Sequence, residues 1–168
     1  GNYTYHPITN KTANSVVLAN GTDLSIRDNY FAGGSGVMQV SGWDQIAGSG
    51  NTIIGAQDLV SLVLPANVAA SFYNWNQNSY YTSTSVTAAH FGFRTPSGGN
   101  GYTFSGWQGT TGYDLVSQFV QRANSRPTGV KAFIRPNQYE AGRANIVVYN
   151  WDGLASVNVD VSSIMLVG

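Results

Sequence analysis

Cysteine is absent from the 168 residues, which excludes a disulfide framework and any thiolate-held metal. Charge is scarce: eight Lys and Arg face eight Asp and Glu, for a net charge of zero. Such a chain carries no electrostatic footprint for nucleic acid or for an anionic membrane. No apolar run approaches the roughly 18 residues of a membrane-crossing helix. Histidine occurs twice, as His6 and His90, too far apart in sequence to suggest the converging ligands of a metal site. The lone glutamate is Glu140, and no Gly-x-Ser-x-Gly nucleophile motif occurs. Neither a cofactor nor a metal is expected. No signal peptide is legible. The chain opens at Gly1-Asn2-Tyr3, which fits a processed or excised piece. With charge so low, the surface must be built from Asn, Ser, Thr, Gln, Gly and Tyr. That mixture is common in secreted β-proteins that meet sugars or other proteins, so an extracellular location is expected.

What the chain does have is a repeat. Leu24, Ile26, Asn29, Phe31 and Gly33 are answered 22 positions later by Ile46, Gly48, Asn51, Ile53 and Gly55. At the same offset Met38 and Val40 are answered by Val60 and Leu62. A looser copy follows at a step of 27, with Tyr73 answering Ile46, Asn78 answering Asn51 and Tyr80 answering Ile53. Self-similarity at a fixed period of about 20–25 residues marks a repeat architecture. The unit alternates like a strand and carries turn residues, so it predicts the rungs of a parallel β-solenoid. The fold weighed against it is an antiparallel sandwich or jelly roll. Asn29, Asn51 and Asn78 are expected at the corners, where Asn tolerates a left-handed backbone and stacked amides satisfy one another. Ile26, Phe31, Ile46 and Ile53 are expected in the core.

Other elements follow locally. Ser15 to Ala19 reads as a short strand closed by the Asn20-Gly21 turn; before it, Pro7 interrupts the Tyr3/Tyr5 alternation. Leu59 to Leu64 is an apolar run suited to a buried parallel strand. Gly98 to Gly101 reads as a flexible loop or hairpin tip. Gly112 to Asn124 is the best helical candidate, with Asp114 as its cap and Leu115, Val116, Phe119 and Val120 at helical spacing; Thr103 to Gln108 suits a short helical turn. Ser125-Arg126-Pro127-Thr128-Gly129 is the clearest boundary, dividing residues 1–125 from an antiparallel β segment, 126–168. In that segment Val130–Ile134, Ala144–Tyr149 and the strictly alternating Ala155–Val161 read as three strands, with a fourth beginning at Ser162.

The stretch from residue 71 to 107 sets aromatics among Asn, Gln and Ser. Trp43, Tyr73, Trp75, Tyr81 and Trp107, with Tyr80 beside them, are the candidate carbohydrate-binding residues. Indole and phenol rings pack on the C–H faces of sugars while amides pair with hydroxyls. The competing reading is that Trp75, Tyr80 and Trp107 close the end of the solenoid, whose core would otherwise face water.

Other polar residues carry weaker signals. Asp23, Arg27 and Asp28 either form a sugar- or ion-contacting outer face or are ordinary turn chemistry. Asp44 and Asp58 stand singly. Glu140 either faces Asp152 across a hairpin, as a glycosidase pair would, or pairs with Arg143 or Arg135 on the surface. Catalytic residues are not legible. Asn2, Asn10 and Asn20 each begin an N-glycosylation sequon.

The phrases Leu24-Ser-Ile-Arg-Asp-Asn-Tyr-Phe31 and Gly50-Asn-Thr-Ile53 resemble rungs of right-handed parallel β-helix proteins of the pectate-lyase-like type. Asn76 to Tyr81, Tyr102 to Gln108 and Gly112 to Asp114 are similar to the last rung of such proteins and its cap. Arg143 to Asp152 resembles the opening of a small β-sandwich appended to them. The resemblance implies binding, modification or cleavage of polysaccharides. The lyases' clustered Asp ligands and Arg or Lys base find no counterpart here, so it implies a non-catalytic piece lacking the N-terminal rungs. A glycan is the expected partner; the alternative is a structural subunit that self-associates through exposed β edges.

Overall fold

The computed structural model describes residues 2–5, 14–34, 36–83, 85, 87–122 and 126–164. His6, Pro7 and the Asn10 sequon lie outside the described residues, as do residues 123–125 and 165–168. The chain is all-β and divides into two compact units, Gly1–Arg126 and Pro127–Gly168.

In the first unit, β1 (Tyr3–Tyr5), β3 (Tyr30–Ala32), β5 (Thr52–Ile54), β8 (Ser79–Thr82) and β11 (Gln118–Gln121) form one sheet in that order. Every pairing in it is parallel. A second sheet runs β2 (Asn14–Arg27), β4 (Gly36–Ser49), β6 (Asp58–Val63), β9 (Phe91–Thr95) and β10 (Gly98–Tyr102), with β7 (Tyr73–Trp75) also on β4. It is parallel except for the β9–β10 hairpin, so this sheet is mixed, and neither sheet closes on itself.

The sequence repeat is the pairing register. Leu24 lies opposite Ile46 and Ile26 opposite Gly48; Phe31 lies opposite Ile53. Met38 pairs with Val60 and Val40 with Leu62. The step of 27 sets Ile46 against Tyr73 and Ile53 against Tyr80. Side chains of like character therefore stack along each sheet, and Ile26, Phe31, Met38, Val40, Ile46, Ile53, Val60 and Leu62 form one buried core.

Backbone kinks fall beside the expected corner residues. The left-handed positions are Asp28, Gly50 and Gln77, each preceding its Asn, with φ of 55°, 67° and 57°. This corrects the assignment of that conformation to Asn29, Asn51 and Asn78. Those asparagines are buried and hydrogen-bonded across strands instead. The Asn29 backbone N–H and Nδ2 both donate to Asn51 Oδ1, at 3.1 and 2.9 Å. Asn51 does the same to Asn78 Oδ1, at 3.1 and 3.0 Å. Likewise Asn20 (φ 59°) does not end a strand; it bends the continuous 14-residue β2.

Glycine is required where a large ring crosses the neighbouring strand. A Cβ on Gly48 would sit 2.1 Å from Cε3 of Trp75, its register partner, and one on Gly21 2.2 Å from Cζ3 of Trp43.

Two local expectations in this unit are corrected. The helix is α1, Phe104–Thr111, not 112–124. Thr103 caps it, its Oγ1 accepting from Gly106 N at 3.1 Å, and left-handed Gly112 ends it. Leu115 and Val116 instead occupy an exposed turn before β11. Gly98 to Gly101 is strand β10, not a loop; the hairpin tip is Pro96-Ser97.

In the second unit, β12 (Val130–Pro136) and β13 (Ala144–Asn150) form an antiparallel pair. Ala155–Val161 is not a strand: Val157, Val159 and Val161 are half-buried between exposed neighbours, but the segment joins no ladder. Alternation specifies sidedness; without a partner edge it does not make a strand. Residues 162–164 form a turn.

Candidate functional site

The aromatic candidates separate by burial. Tyr73, Trp75 and Trp107 are 3%, 1% and 0% exposed, so none presents a face to a sugar; Trp43 and Tyr81 are partly exposed. Burial follows from their hydrogen bonds. Trp75 Nε1 donates to Tyr80 Oη at 2.7 Å, Tyr80 Oη donates to Asp114 Oδ2 at 2.8 Å, and Trp107 Nε1 donates to the same oxygen at 2.8 Å. Tyr73 Oη donates to the Trp43 carbonyl at 2.7 Å. The rings pack edge to face, with Trp107 5.5 Å from Tyr113 and Tyr80 5.0 Å from Phe91. Tyr73, Trp75 and Trp107 are core residues, and the expected platform does not form from them.

Asp114 is the hub of this cluster. It is fully buried and left-handed (φ 56°). Its Oδ1 accepts from Asn78 Nδ2 at 3.2 Å and from Ser117 Oγ. Asp114 and Ser117 thus stand where a further asparagine would continue the ladder, and Ser117 Oγ also accepts from Asn78 N at 2.8 Å. Burial raises the Asp114 pKa above the ordinary carboxylate value; hydrogen bonds from Ser117, Tyr80, Asn78 and Trp107 oppose the rise. Burial, reinforced by the Asp114 charge, pushes the Tyr80 hydroxyl well up. These pKa shifts accompany complete burial, and the donors and acceptors of the cluster satisfy one another.

The remaining titratable candidates disperse. His90 is buried, with Nδ1 2.7 Å from the Gln57 carbonyl, Nε2 3.1 Å from the Ser85 carbonyl and Phe119 beside its ring. Asp23, Asp28, Asp44 and Asp58 are exposed. Glu140 pairs with Arg143 at 2.6 Å on the surface, while Asp152 Oδ1 accepts from Gly129 N at 2.9 Å, so each has a local role. Among the described residues no three His, Asp or Glu side chains converge on a metal position, and no helix is long and apolar enough to cross a membrane.

Two adjoining hollows remain on the first unit. One, of about 370 Å³, is lined by Arg27, Ala47, Gly48, Ser49, Asn74, Asn76 and Gln77. Register creates it: Arg27 lies opposite Ser49, and Ala47 opposite Asn74. Ala47 is the small residue of its floor, whereas the missing side chain of Gly48 is on the Trp75 side, in the core. Asn76 is fixed, its Oδ1 accepting from Gln77 N and Val116 N at 3.0 Å each. The second, of about 470 Å³, shares Asn74 and Asn76 with the first and is lined also by Tyr73, Trp75, Thr111, Gly112 and Tyr113. Phe72, in the 3-10 turn just before β7, is 55% exposed. The lining of the first groove offers one guanidinium, three side-chain amides and one hydroxyl, with no carboxylate or imidazole for proton transfer. Only Arg27 of its lining was a sequence candidate. The others come together through offsets of 22 and 27 residues, and an Asn-Gln-Ser composition marks none of them out.

No family model, curated protein or solved structure matches the chain.

Proposed function

We propose that the first unit is a right-handed parallel β-solenoid of the pectate-lyase-like kind and that it serves as an extracellular, non-catalytic carbohydrate-binding module. The solenoid is supported by parallel registers advancing 22 residues at a time in both sheets and by the asparagine ladder at their junction. The glycan reading is carried by one observation, the polar groove of Arg27, Ser49, Asn74, Asn76 and Gln77 on a sheet face poor in charge. Amides and a hydroxyl pair with sugar hydroxyls, and the short side chain of Ala47 leaves room for a ring. A glycan array probed with the intact chain and with an Arg27→Ala/Asn74→Ala variant tests this. Binding weakened tenfold or more in the variant supports it; an array blank for the intact chain counts heavily against it.

A second reading, self-association, is favoured by the β1–β2 end of the unit. There β1 and β2 are edge strands, and a hollow of about 440 Å³ is lined by Val16, Leu18, Leu24, Ile26 and Phe31 among others. Edge strands over apolar residues invite pairing. Sedimentation velocity across a wide concentration range decides it, since a strict monomer throughout removes this reading.

A further inference from the structure

One segment of the second unit has the sidedness of a strand and no strand beside it. Val157, Val159 and Val161 are half-buried, while Ser156, Asn158 and Asp160 are exposed, which is the period-two pattern of an extended chain. Among the described residues, no backbone N–H or C=O from Ala155 to Asp160 makes a hydrogen bond. Both ends are nevertheless held. Leu154 N donates to Asn150 Oδ1 at 3.0 Å, and Asn150 Nδ2 donates to the Leu154 carbonyl at 2.7 Å. At the far end Ser162 N donates to Asp160 Oδ1 at 2.9 Å, and Ile164 N donates to the Val161 carbonyl at 3.0 Å. Proteins usually blunt an open edge with Lys, Pro or a bulge. The segment contains neither Lys nor Pro, and its one charge is Asp160. Within the unit Lys131, Arg135 and Arg143 balance Glu140, Asp152 and Asp160, so no net charge holds two copies apart. The unit's ladder among the described residues is the β12–β13 pair, and two strands alone are marginally stable in water.

The occupant follows from the symmetry of the segment. Laid antiparallel about Asn158, two copies set Val157 of one against Val159 of the other, and Ser156 against Asp160. Apolar then meets apolar on the half-buried side, and a hydroxyl can donate to the carboxylate on the exposed side. In an antiparallel ladder alternate residues exchange both backbone bonds with their opposite number. With Ser156, Asn158 and Asp160 as those residues, every group used is one the structure leaves open. A ladder centred on Val159 needs either the Val161 carbonyl or the Ser162 N–H, and both are already bonded. A parallel pairing in register would set Asp160 against Asp160, and like charges directly opposite are destabilising.

We propose that residues 156–160 are a homotypic pairing strand, which joins the same segment of a second copy of this chain antiparallel about a two-fold axis at Asn158. Such a contact is isologous and closes at two copies. It uses none of the residues of the glycan groove or of the β1–β2 end, so it stands apart from both readings above.

The test is amide hydrogen exchange of the intact chain from micromolar to millimolar concentration. Exchange at Ser156, Asn158 and Asp160 should slow at least tenfold across that range, while Val157 and Val159, whose N–H groups face away from the second copy, should change little. Asn158→Pro, at an exposed position, removes the donor at the axis and should abolish the slowing without moving the unfolding midpoint. The absence of cysteine adds a test of register. Two Asn158 residues would lie about 5.5 Å apart between Cα atoms, within disulfide reach. Two Ser156 residues would be offset by roughly 13 Å along the strands, beyond it. Under mild oxidation Asn158→Cys should therefore form a covalent dimer at least tenfold faster than Ser156→Cys. Exchange that does not depend on concentration overturns the proposal, as does equal cross-linking of the two cysteine variants. Val17→Lys, on the exposed edge of β2, should leave all of this unchanged; loss of the slowing in that variant would assign the contact to the β1–β2 end and overturn the proposal too.

Discussion

Replacing Asp114 by Asn keeps the shape of the hub and changes only what its oxygens can accept. Four donors converge on the carboxylate: Asn78 Nδ2, Ser117 Oγ, Tyr80 Oη and Trp107 Nε1. The two hydroxyls can rotate and accept instead. The amide of Asn78 and the indole of Trp107 cannot. An asparagine presents one oxygen and one NH₂, so in either orientation it opposes Asn78 or Trp107 with N–H against N–H. A buried donor left unmade costs about 1–3 kcal/mol. Relief of the buried charge offsets part of this, which leaves a net loss of roughly 1–2 kcal/mol at neutral pH. Asp114→Ala orphans both fixed donors and leaves a cavity, so about 3–5 kcal/mol is expected. Urea unfolding followed by tryptophan fluorescence measures both, since Trp75 and Trp107 sit on the hub, and an unchanged denaturant slope keeps the comparison two-state. An Asn variant as stable as the parent would refute the donor-convergence argument, as would Asn and Ala variants of equal stability.

Acidity gives a signed companion to that test. The folded pKa of Asp114 is raised above its unfolded value, so its contribution to stability is fully present below the unfolded pKa and declines as pH rises through the folded one. The stability gap between the parent and Asp114→Asn should therefore widen on acidification below neutrality, as paired urea titrations would show; a gap that narrows contradicts the raised pKa. Gly48→Ala drives a Cβ to 2.1 Å from the Trp75 ring and should cost about 1–3 kcal/mol by overpacking, read from the shift of the thermal midpoint. Asn51→Ala removes a side chain whose Oδ1 accepts twice and whose Nδ2 donates to Asn78 Oδ1 and to the Ile26 carbonyl. It should lose roughly 3 kcal/mol or more and speed exchange of the Asn29 amide.

The stacking of the first unit was legible because parallel pairing converts a sequence offset directly into spatial adjacency. Leu24, Ile46 and Tyr73 recur at 22 and 27 because they lie on one another. Conformation was legible less well. Asn is a good left-handed residue, yet Asp28 and Gln77 take that role beside it, since the corner needs the Asn side chain for cross-strand bonds. Aromatic composition said that rings would cluster but not on which side of the sheet. Trp75 lies inward because Gly48 makes room for it, a relation visible only once the register is known. The helical spacing of Leu115 and Phe119 misled because Asp114 is consumed by the hub and cannot cap. The groove residues Ser49, Asn74 and Gln77 are unremarkable singly and gain meaning from their neighbours on other strands.

The asparagine ladder also has a direction. Each side-chain amide donates toward the Asp114 end: Asn29 to Asn51, Asn51 to Asn78, and Asn78 to the carboxylate. An amide stack alone could run either way, because oxygen and nitrogen exchange places on a flip. Here a backbone N–H donates into the Oδ1 of Asn51 and of Asn78, and the Ile26 carbonyl accepts from Asn51 Nδ2, so the backbone of each rung sets which end of its amide is oxygen. A carboxylate only accepts, so Asp114 ends the row in the polarity that the backbone imposes on it. Strands lie about 4.8 Å apart, so that shared polarity extends over three strand spacings, or roughly 14 Å.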